Sequence, residues 1–222
     1  MASLEAGNNN MKKKIQLNLG CGVYLVKDFI NIDKFYTLKQ IRGKKGLFKN
    51  SVIEKGSEYV QADICKLPFK DNSVDYIESI DALEHIPFCR IIPAFQEMYR
   101  VLKPGKTLCF ATINFDAVAK EWTDRISGKP FDNEEIMKSY FDLMEVVFGN
   151  QTYKGEFHVI PFNPYFLGFL LNKVGFKNSN IKMRIYPAGT KCATKKILKT
   201  SRYNSSGPAV MRTEAIIVQA KK

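Results

Sequence analysis

Short apolar segments alternate with longer polar stretches along the first half of the chain. Five of these segments have the length and composition of strands, and they lie at residues 15–19, 29–33, 58–61, 74–80 and 106–113. Between the last two, apolar residues recur every three or four positions and predict an amphipathic helix: Ile92, Phe95, Met98, Tyr99 and Leu102. Pro104 and Gly105 then end this helix. Alternating strands and helices predict an α/β fold with a mainly parallel sheet.

The second half of the chain contains two further predicted helices and two predicted strands. One helix starts at residues 132–135, whose Glu134 and Glu135 suit the positive end of a helix dipole, and it runs to about Phe148. The other opens with Pro164 in its first turn and ends at Gly175. Residues 181–186 and 214–219 read as the last strands, and the basic stretch between them predicts a long loop.

The length and composition favour one folded domain. The 222 residues fit a single α/β domain with a substantial core, which we place at residues 11–222. Residues 1–10 are polar and small, and we interpret them as a leader or a disordered extension. They lack the apolar stretch of a signal peptide, and no apolar run approaches the roughly 20 residues of a membrane helix. We therefore expect a cytoplasmic protein without a membrane span.

The cysteines give no sign of a metal centre. Five are scattered along the chain without a C-x-x-C pair: Cys21, Cys65, Cys89, Cys109 and Cys192. Zinc ligation and a disulfide framework both require closer or more regular spacing, so free thiols are the favoured interpretation. We predict no metal site.

Two segments hold most of the positive charge. The formal net charge is +12, and residues 34–55 and 182–222 contribute +6 and +9. If both segments flank the same edge of the sheet, they raise the local concentration of an acidic substrate. The alternative is that these lysines are solvated loop residues.

A glycine turn follows the first strand. It reads Leu-Asn-Leu-Gly-Cys-Gly over residues 17–22, and Asp33 closes the second strand. Glycines let a ligand approach the backbone, and an acid at the second strand end can bind ribose hydroxyls. A plain tight turn and a surface Asp remain the alternatives. A dinucleotide is disfavoured because Leu25 occupies the position of the third fingerprint glycine.

Six blocks in register give the chain a family resemblance. They are residues 17–22, 31–33, 62–64, 67–77, 83–86 and 100–105, which read LNLGCG, NID, ADI, LPFKDNSVDYI, LEHI and RVLKPG. In this order and spacing the sequence resembles the class I S-adenosylmethionine-dependent methyltransferases, and most of all their small-molecule-type branch. The resemblance implies a Rossmann-like, seven-stranded, mostly parallel sheet with helices on both faces and an antiparallel last strand. It also implies a cofactor half over about 11–113, and a substrate cap with the final strands over about 114–222.

The resemblance assigns cofactor-binding roles to ten residues. They are Asn18, Leu19, Gly20, Cys21, Gly22, Asp33, Asp63, Ile64, Ser79 and Ile80. The glycine turn would contact the methionine and ribose parts of S-adenosylmethionine, and Asp33 would bind the ribose hydroxyls. Asp63 would accept from the adenine amino group beside Ile64, and the strand end at Ser79 and Ile80 would face the cofactor's ammonium group. Asn18 departs from the family, which often has an acid at this position. The product would be S-adenosylhomocysteine.

Three residues are candidates for acid–base catalysis. His85 and Asp81 follow the fourth strand, and His158 lies in the segment that would cover the site. An imidazole can accept a proton near neutral pH. Each of the three also has an ordinary structural interpretation, as a helix-start or loop residue. The carboxylate of Glu84 is a further neighbour.

The sequence does not identify the methyl acceptor. We favour a small molecule, glycan or lipid, with an anionic acceptor suggested by the charge. An RNA methyltransferase is an alternative, although residues 79–82 read Ser-Ile-Asp-Ala and lack the Asn-Pro-Pro-aromatic signature of base amino methylation. A non-catalytic methyltransferase-like binding protein is the other alternative. The oligomeric state is not predicted.

Overall fold

The computed structural model describes residues 14–42, 52–130, 134–149, 151, 155–186 and 214–222. The strands are β1 Gln16–Leu19, β2 Tyr24–Leu25, β3 Ile30–Asp33, β4 Val52–Ile53, β5 Glu58–Gln61, β6 Val74–Ile80, β7 Leu102–Ile113, β8 Ile181–Tyr186 and β9 Ala215–Lys221. The α-helices are α1 Leu38–Arg42, α2 Phe88–Val101, α3 Phe115–Ile126, α4 Glu134–Phe148 and α5 Pro164–Val174. Short 3-10 helices lie at Leu83–His85 and Asn178–Asn180. The predicted leader at 1–10 and the basic loop at 187–213 lie outside the described residues.

Seven strands form one sheet in the order β5-β3-β1-β6-β7-β9-β8. The five strands from β5 to β7 are parallel, whereas β9 runs antiparallel to both β7 and β8. This confirms the predicted Rossmann-like sheet with its antiparallel last strand. The strand order reverses at β1, between β3 and β6, and ligands bind at such switch points beyond the carboxyl ends of the strands.

The main core lies on the sheet face that α2 and α5 cover. The apolar stripe of α2 is buried at Ile91, Ala94, Phe95, Met98 and Val101. The Phe95 ring meets Phe110 of β7 edge to face with 5.7 Å between ring centroids, and both side chains are fully buried. Truncation of such a phenylalanine costs about 3–5 kcal/mol. A smaller apolar cluster on the opposite face includes Phe29, Tyr76 and Ile217.

The first crossover is shorter than the fold usually has. The short spacing from Gly22 to Asp33 predicts a reduced helix in this connection. Residues 20–29 in fact connect β1 to β3 through turns and the two-residue strand β2, and this fully described segment contains no helix. The glycine turn is therefore not followed by a helix N-terminus. The residue next to the turn, Asp33, is positioned by strand β3 instead.

The later elements follow the sequence predictions, with two differences. Helix α5 starts at Pro164, where the Asn163 side chain accepts a hydrogen bond from the Phe166 N–H at 2.8 Å. Strand β7 starts at Leu102 rather than residue 106, because the Pro104 segment bulges from the strand while Leu102 already pairs with Val74. Helix α3 was not predicted.

The described residues contain no helix long and apolar enough to cross a bilayer. The four described cysteines, Cys21, Cys65, Cys89 and Cys109, are thiols that form no disulfide with one another. Cys192 lies outside the described residues. The cytoplasmic location and the single-domain boundaries stay predictions.

Candidate cofactor and acceptor site

A cleft of about 530 Å³ opens at the carboxyl ends of β1, β3 and β6. Its volume falls within the roughly 300–1,000 Å³ of small-molecule sites. Eight of the residues predicted from sequence line it: Gly20, Gly22, Asp33, Asp63, Ile64, Asp81, His85 and His158. The fold thus brings the glycine turn, the two strand-end acids and all three candidate catalytic residues to one cavity.

The two glycines of the turn have different roles. Both adopt left-handed backbone conformations, with φ of +65° at Gly20 and +52° at Gly22. A Cβ on Gly20 would lie 2.3 Å from the Cβ of Ala82, whereas a Cβ on Gly22 would meet no protein atom within 4 Å. A side chain on Gly20 would therefore collide with Ala82. Gly22 lines the cleft and leaves an open cradle for a ligand.

Asp33 is a buried carboxylate at the end of β3. Its oxygens accept hydrogen bonds from the backbone N–H of Gly22 at 3.0 Å and of Phe35 at 2.8 Å. Burial raises the pKa of Asp33, and the backbone donors of Phe35 and Gly22 oppose that rise. A carboxylate has about four acceptor positions, so Asp33 can also accept from a ribose hydroxyl.

Asp63 lies in the loop after β5 and contacts two cations. Its Oδ2 is 2.8 Å from the Lys34 ammonium and 2.8 Å from the Arg90 guanidinium. Its Oδ1 accepts from the Cys65 N–H at 3.0 Å. Burial acts to raise the pKa of Asp63, but the hydrogen bonds from Lys34, Cys65 and Arg90 outweigh it and hold the pKa well below the ordinary aspartate value. Asp63 is therefore ionised and accepts hydrogen bonds only.

Five of the predicted cofactor residues do not line the cleft. The Asn18 amide donates to Asn31 at 2.9 Å and to the Tyr24 carbonyl at 3.2 Å, so it stabilises the crossover. The others are buried: Leu19 in the main core, Cys21 against Leu25, Ser79 with its hydroxyl donating to the Leu19 carbonyl, and Ile80 in the opposite-face cluster. Any contact these residues make with a cofactor must come from their backbone.

The two histidines of the chain lie together in the cleft. The His85 and His158 rings meet edge to face with 4.6 Å between ring centroids. The Nδ1 of His85 is 3.1 Å from the Phe157 carbonyl oxygen, and the Nδ1 of His158 is 2.8 Å from that of Val146. A carbonyl oxygen only accepts, so each Nδ1 carries the proton and Nε2 is the basic nitrogen of each ring. This arrangement suits two general bases.

Two carboxylates accompany the histidines. Asp81 has a φ of +46°, which is unusual for a residue with a side chain, and its N–H donates to the Ala111 carbonyl at 3.1 Å. Glu84 is 2% exposed, and the Thr112 hydroxyl donates to its carboxylate at 3.4 Å. The Glu84 carbonyl accepts from Val159 and ties the 3-10 helix to the segment that carries His158.

The segment after α4 covers the cleft. Gly155 packs against the Phe35 ring, and the His158 N–H donates to the Phe148 carbonyl at 3.0 Å. Glu145 and Glu156 line the cleft from this side. Sequence reasoning missed these contacts, along with Lys34 and Arg90, because they join positions far apart in the chain and no local pattern marks them. Residues 150 and 152–154 lie outside the described part of this segment.

The described lining residues of the cleft carry charges of both signs. Lys34 and Arg90 pair with Asp63, and Asp81, Glu84, Glu145 and Glu156 also line the cleft. Within the described residues there is no cluster of three or more His, Cys, Asp or Glu suited to a metal ion. The open cradle at Gly22 and the two carboxylates fit an adenosyl ligand with ribose and amino donors.

Comparisons with known proteins agree with this geometry. Residues 17–110 match the family model described as "Methyltransferase domain". The chain is 37% identical over 99 residues to cycloartenol-C-24-methyltransferase of Arabidopsis thaliana, which is 45% of this chain and 26% of that protein. It is 39% identical over 88 residues to the ubiquinone/menaquinone biosynthesis C-methyltransferase UbiE of Brucella canis, which is 37% of this chain and 30% of that protein. The matches thus span less than a third of these curated relatives.

A solved structure extends the likeness over nearly the whole fold. A SAM-dependent methyltransferase from Methanosarcina mazei superposes with a TM-score of 0.54 at 19% identity, and the alignment covers 96% of this chain and 95% of that one. At this identity the likeness speaks for the fold. Residues 17–110, which include the glycine turn and both strand-end acids, are thus similar to a methyltransferase domain, and the chain shares the fold of a SAM-dependent methyltransferase.

Proposed function

We propose that the chain transfers a methyl group from S-adenosylmethionine to a hydroxyl or amine of a small-molecule, glycan or lipid acceptor. One observation carries the acceptor chemistry: two imidazoles in the cleft, each with Nδ1–H bonded to a backbone carbonyl and Nε2 as the basic nitrogen. The cofactor half is supported by the family match and by the open cradle at Gly22.

The protein's part in the reaction is binding, alignment and proton transfer. S-adenosylmethionine supplies an activated methyl group on a sulfonium. Asp33 and Asp63 would hold the adenosine part in the cleft, which the segment around Gly155 covers. Alignment of nucleophile, methyl carbon and sulfur, with water excluded, supplies much of the rate enhancement.

His85 or His158 would accept the acceptor's proton. The imidazole Nε2 would take the proton of the acceptor's hydroxyl or amine, whose oxygen or nitrogen would receive the methyl group that the cofactor supplies. Glu84 and Asp81 line the cleft with the pair, where their charge would stabilise the imidazolium that forms. General bases of this kind contribute about 10²–10⁴-fold.

The prediction of an anionic acceptor depends on a segment outside the described residues. The described lining of the cleft includes the carboxylate residues Asp81, Glu84, Glu145 and Glu156, whereas the anionic-acceptor prediction rests on the basic loop at 187–213. The names of the matched relatives refer to sterol and quinone methylation, and their likeness is to less than half of this chain. An RNA acceptor and a non-catalytic role are kept as alternatives for the test.

Calorimetry and a methyl-transfer assay test the proposal in two steps. Titration of the purified chain with S-adenosylhomocysteine should give one site with a micromolar-range dissociation constant, and Gly22→Ala should abolish it. No binding to the folded chain overturns the proposal. Radiolabelled methyl transfer is then screened with small molecules, glycans, lipids and RNA. Cofactor binding with transfer to RNA alone, or to no acceptor, would favour one of the alternatives.

A further inference from the structure

The carboxylate assigned to adenine recognition is held between two cations from different elements. Lys34 follows β3, and Arg90 lies in the first turn of α2. Both reach the same oxygen of Asp63, each at 2.8 Å. We propose that Lys34 and Arg90 are positioning residues that fix Asp63 for selection of the 6-amino group of adenine. This inference rests on the proposed function, since it concerns the same cofactor site.

Three contacts constrain the carboxylate. The Cys65 N–H holds Oδ1, while the two cations hold Oδ2 from outside the Asp63 loop. The loop has no helix to define it, and the Asp63 side chain is 26% exposed. Without the cations its χ angles could rotate toward water. With them, the carboxylate is held where Asp63 and Ile64 line the cleft together.

The surrounding charges keep this carboxylate an acceptor. Lys34 and Arg90 favour its ionised form, Asp33 lies in the same cleft, and burial beside Asp63 raises the pKa of the Cys65 thiol to about 11, so that this thiol stays neutral. An ionised carboxylate accepts a hydrogen bond from an amino group and repels a carbonyl oxygen. The arrangement therefore favours adenine over hypoxanthine, in which oxygen replaces the 6-amino group.

An ordinary surface ion pair would behave differently. The side chains of Lys34 and Arg90 are 47% and 38% exposed, and exposed pairs contribute little to folding stability. A purely structural role predicts equal loss of affinity for any purine analogue. A positioning role predicts a selective loss for the adenine form.

The test compares two ligands that differ only at purine position 6: S-adenosylhomocysteine and S-inosylhomocysteine. Their dissociation constants are measured by calorimetry for the wild-type chain, Arg90→Met, Lys34→Met and Arg90→Lys. Lys120→Met, which removes an exposed ion pair with Asp124 on α3, is the control. We expect the wild type and the control to prefer the adenosyl ligand. Arg90→Met and Lys34→Met should each reduce that preference about tenfold, the size of one charge-assisted hydrogen bond. Arg90→Lys should retain most of it.

The outcomes separate the two proposals. A wild-type chain that binds neither ligand overturns the proposed function. A wild-type chain that binds, with a preference unchanged in both methionine variants, overturns the positioning role alone. Equal weakening of both ligands also overturns it. Thermal unfolding monitors folding, and if Arg90→Met does not fold, Lys34→Met and Arg90→Lys decide the question.

Discussion

His85 and His158 lie in edge-to-face contact, although 73 positions separate them in the chain. One follows β6 at the sheet edge, and the other belongs to the segment that returns from α4 to cover the cleft. The His85 ring is anchored by the Phe157 carbonyl of that returning segment, and the His158 ring by the Val146 carbonyl at the end of α4. The pair therefore joins the floor of the cleft to its cover, and it is complete only when the cover is in place.

Asparagine substitutions test the two histidines as bases. The Asn amide can reproduce the Nδ1–H donor to the carbonyl but offers no Nε2 base. We expect His85→Asn or His158→Asn, whichever is the base, to lower kcat by about 10²–10⁴-fold with cofactor affinity unchanged. Both variants retaining the wild-type kcat would remove the base assignment.

Alanine substitutions in the glycine turn should distinguish a clash with the bound cofactor from a clash within the protein. Gly22→Ala places its Cβ in open cleft space, so we expect loss of cofactor binding with about 1 kcal/mol of strain from the left-handed backbone. Gly20→Ala should reduce the free energy of unfolding by more, because of the collision with Ala82. Ala82→Gly in the Gly20→Ala background should recover part of that stability. Chemical denaturation and calorimetry measure both effects, and normal cofactor binding by Gly22→Ala would contradict the cradle.

Asp33→Asn tests the ribose contact. We expect cofactor binding to weaken by about 1.5–3 kcal/mol, as for a hydrogen bond to a charged group. Burial raises the pKa of Asp33, so as the pH falls this carboxylate protonates at a higher pH than an ordinary aspartate. Wild-type affinity should therefore drop on mild acidification, while the affinity of the Asp33→Asn variant should not, because its amide does not titrate. Titrations at several pH values decide it, and parallel curves for the two proteins would exclude Asp33 as the titrating ligand.

Asp81 needs a test that separates its charge from its backbone. Asn tolerates the left-handed conformation that Asp81 adopts, whereas Ala pays about 1–2 kcal/mol there. Asp81→Asn should leave the free energy of unfolding nearly unchanged and, if the charge stabilises an imidazolium, lower kcat. Asp81→Ala should lower both the free energy of unfolding and kcat. A normal kcat in Asp81→Asn would restrict Asp81 to a structural role.

The anionic-acceptor prediction is tested by salt. Between about 0.05 and 0.5 M salt the Debye length falls from about 14 to about 4 Å, so KM for an anionic acceptor should rise. Joint neutralisation of Lys191, Lys195, Lys196 and Lys199 should raise KM and flatten that dependence. Neutralising the exposed Lys173 and Lys177 serves as the control. A KM insensitive to salt and to the four substitutions would leave the loop as solvated surface.

Elements with strong local patterns were predictable from sequence. Strands β5 and β6 have the predicted bounds, and Phe95 and Met98 of the predicted stripe are buried in α2, whereas Ile92 and Tyr99 are half-buried and Leu102 begins β7. Helix α3 was missed because only Val118 is buried along it. A usable signal did exist, since Lys120 pairs with Asp124 and Glu121 with Arg125 at i, i+4 spacing.

Only the site residues that belong to short local motifs at strand ends could be predicted from the sequence. The glycine turn, Asp33 and Asp63 stand at strand ends that the pattern located. The ion pairs of Asp63 with Lys34 and Arg90 could not be predicted. Lys34 precedes Asp63 by 29 residues and Arg90 follows it by 27, so no local pattern links them. The role of Gly20 also required the structure, since Ala82 reaches it only through the parallel pairing of β1 and β6.

The position of β9 has a consequence for synthesis on the ribosome. Strands emerge in chain order, yet β9 inserts between β7 and β8, and β8 has no other neighbour in the described sheet. Until β9 emerges, about 100 residues after β7, β7 presents an open apolar edge and β8 has nothing to pair with. Such long-range pairing raises contact order and slows folding, and exposed edges recruit other chains. Ribosome-released fragments that stop before residue 215 should therefore be held by chaperones or aggregate, while the parallel pairs from β5 to β7 are already formed.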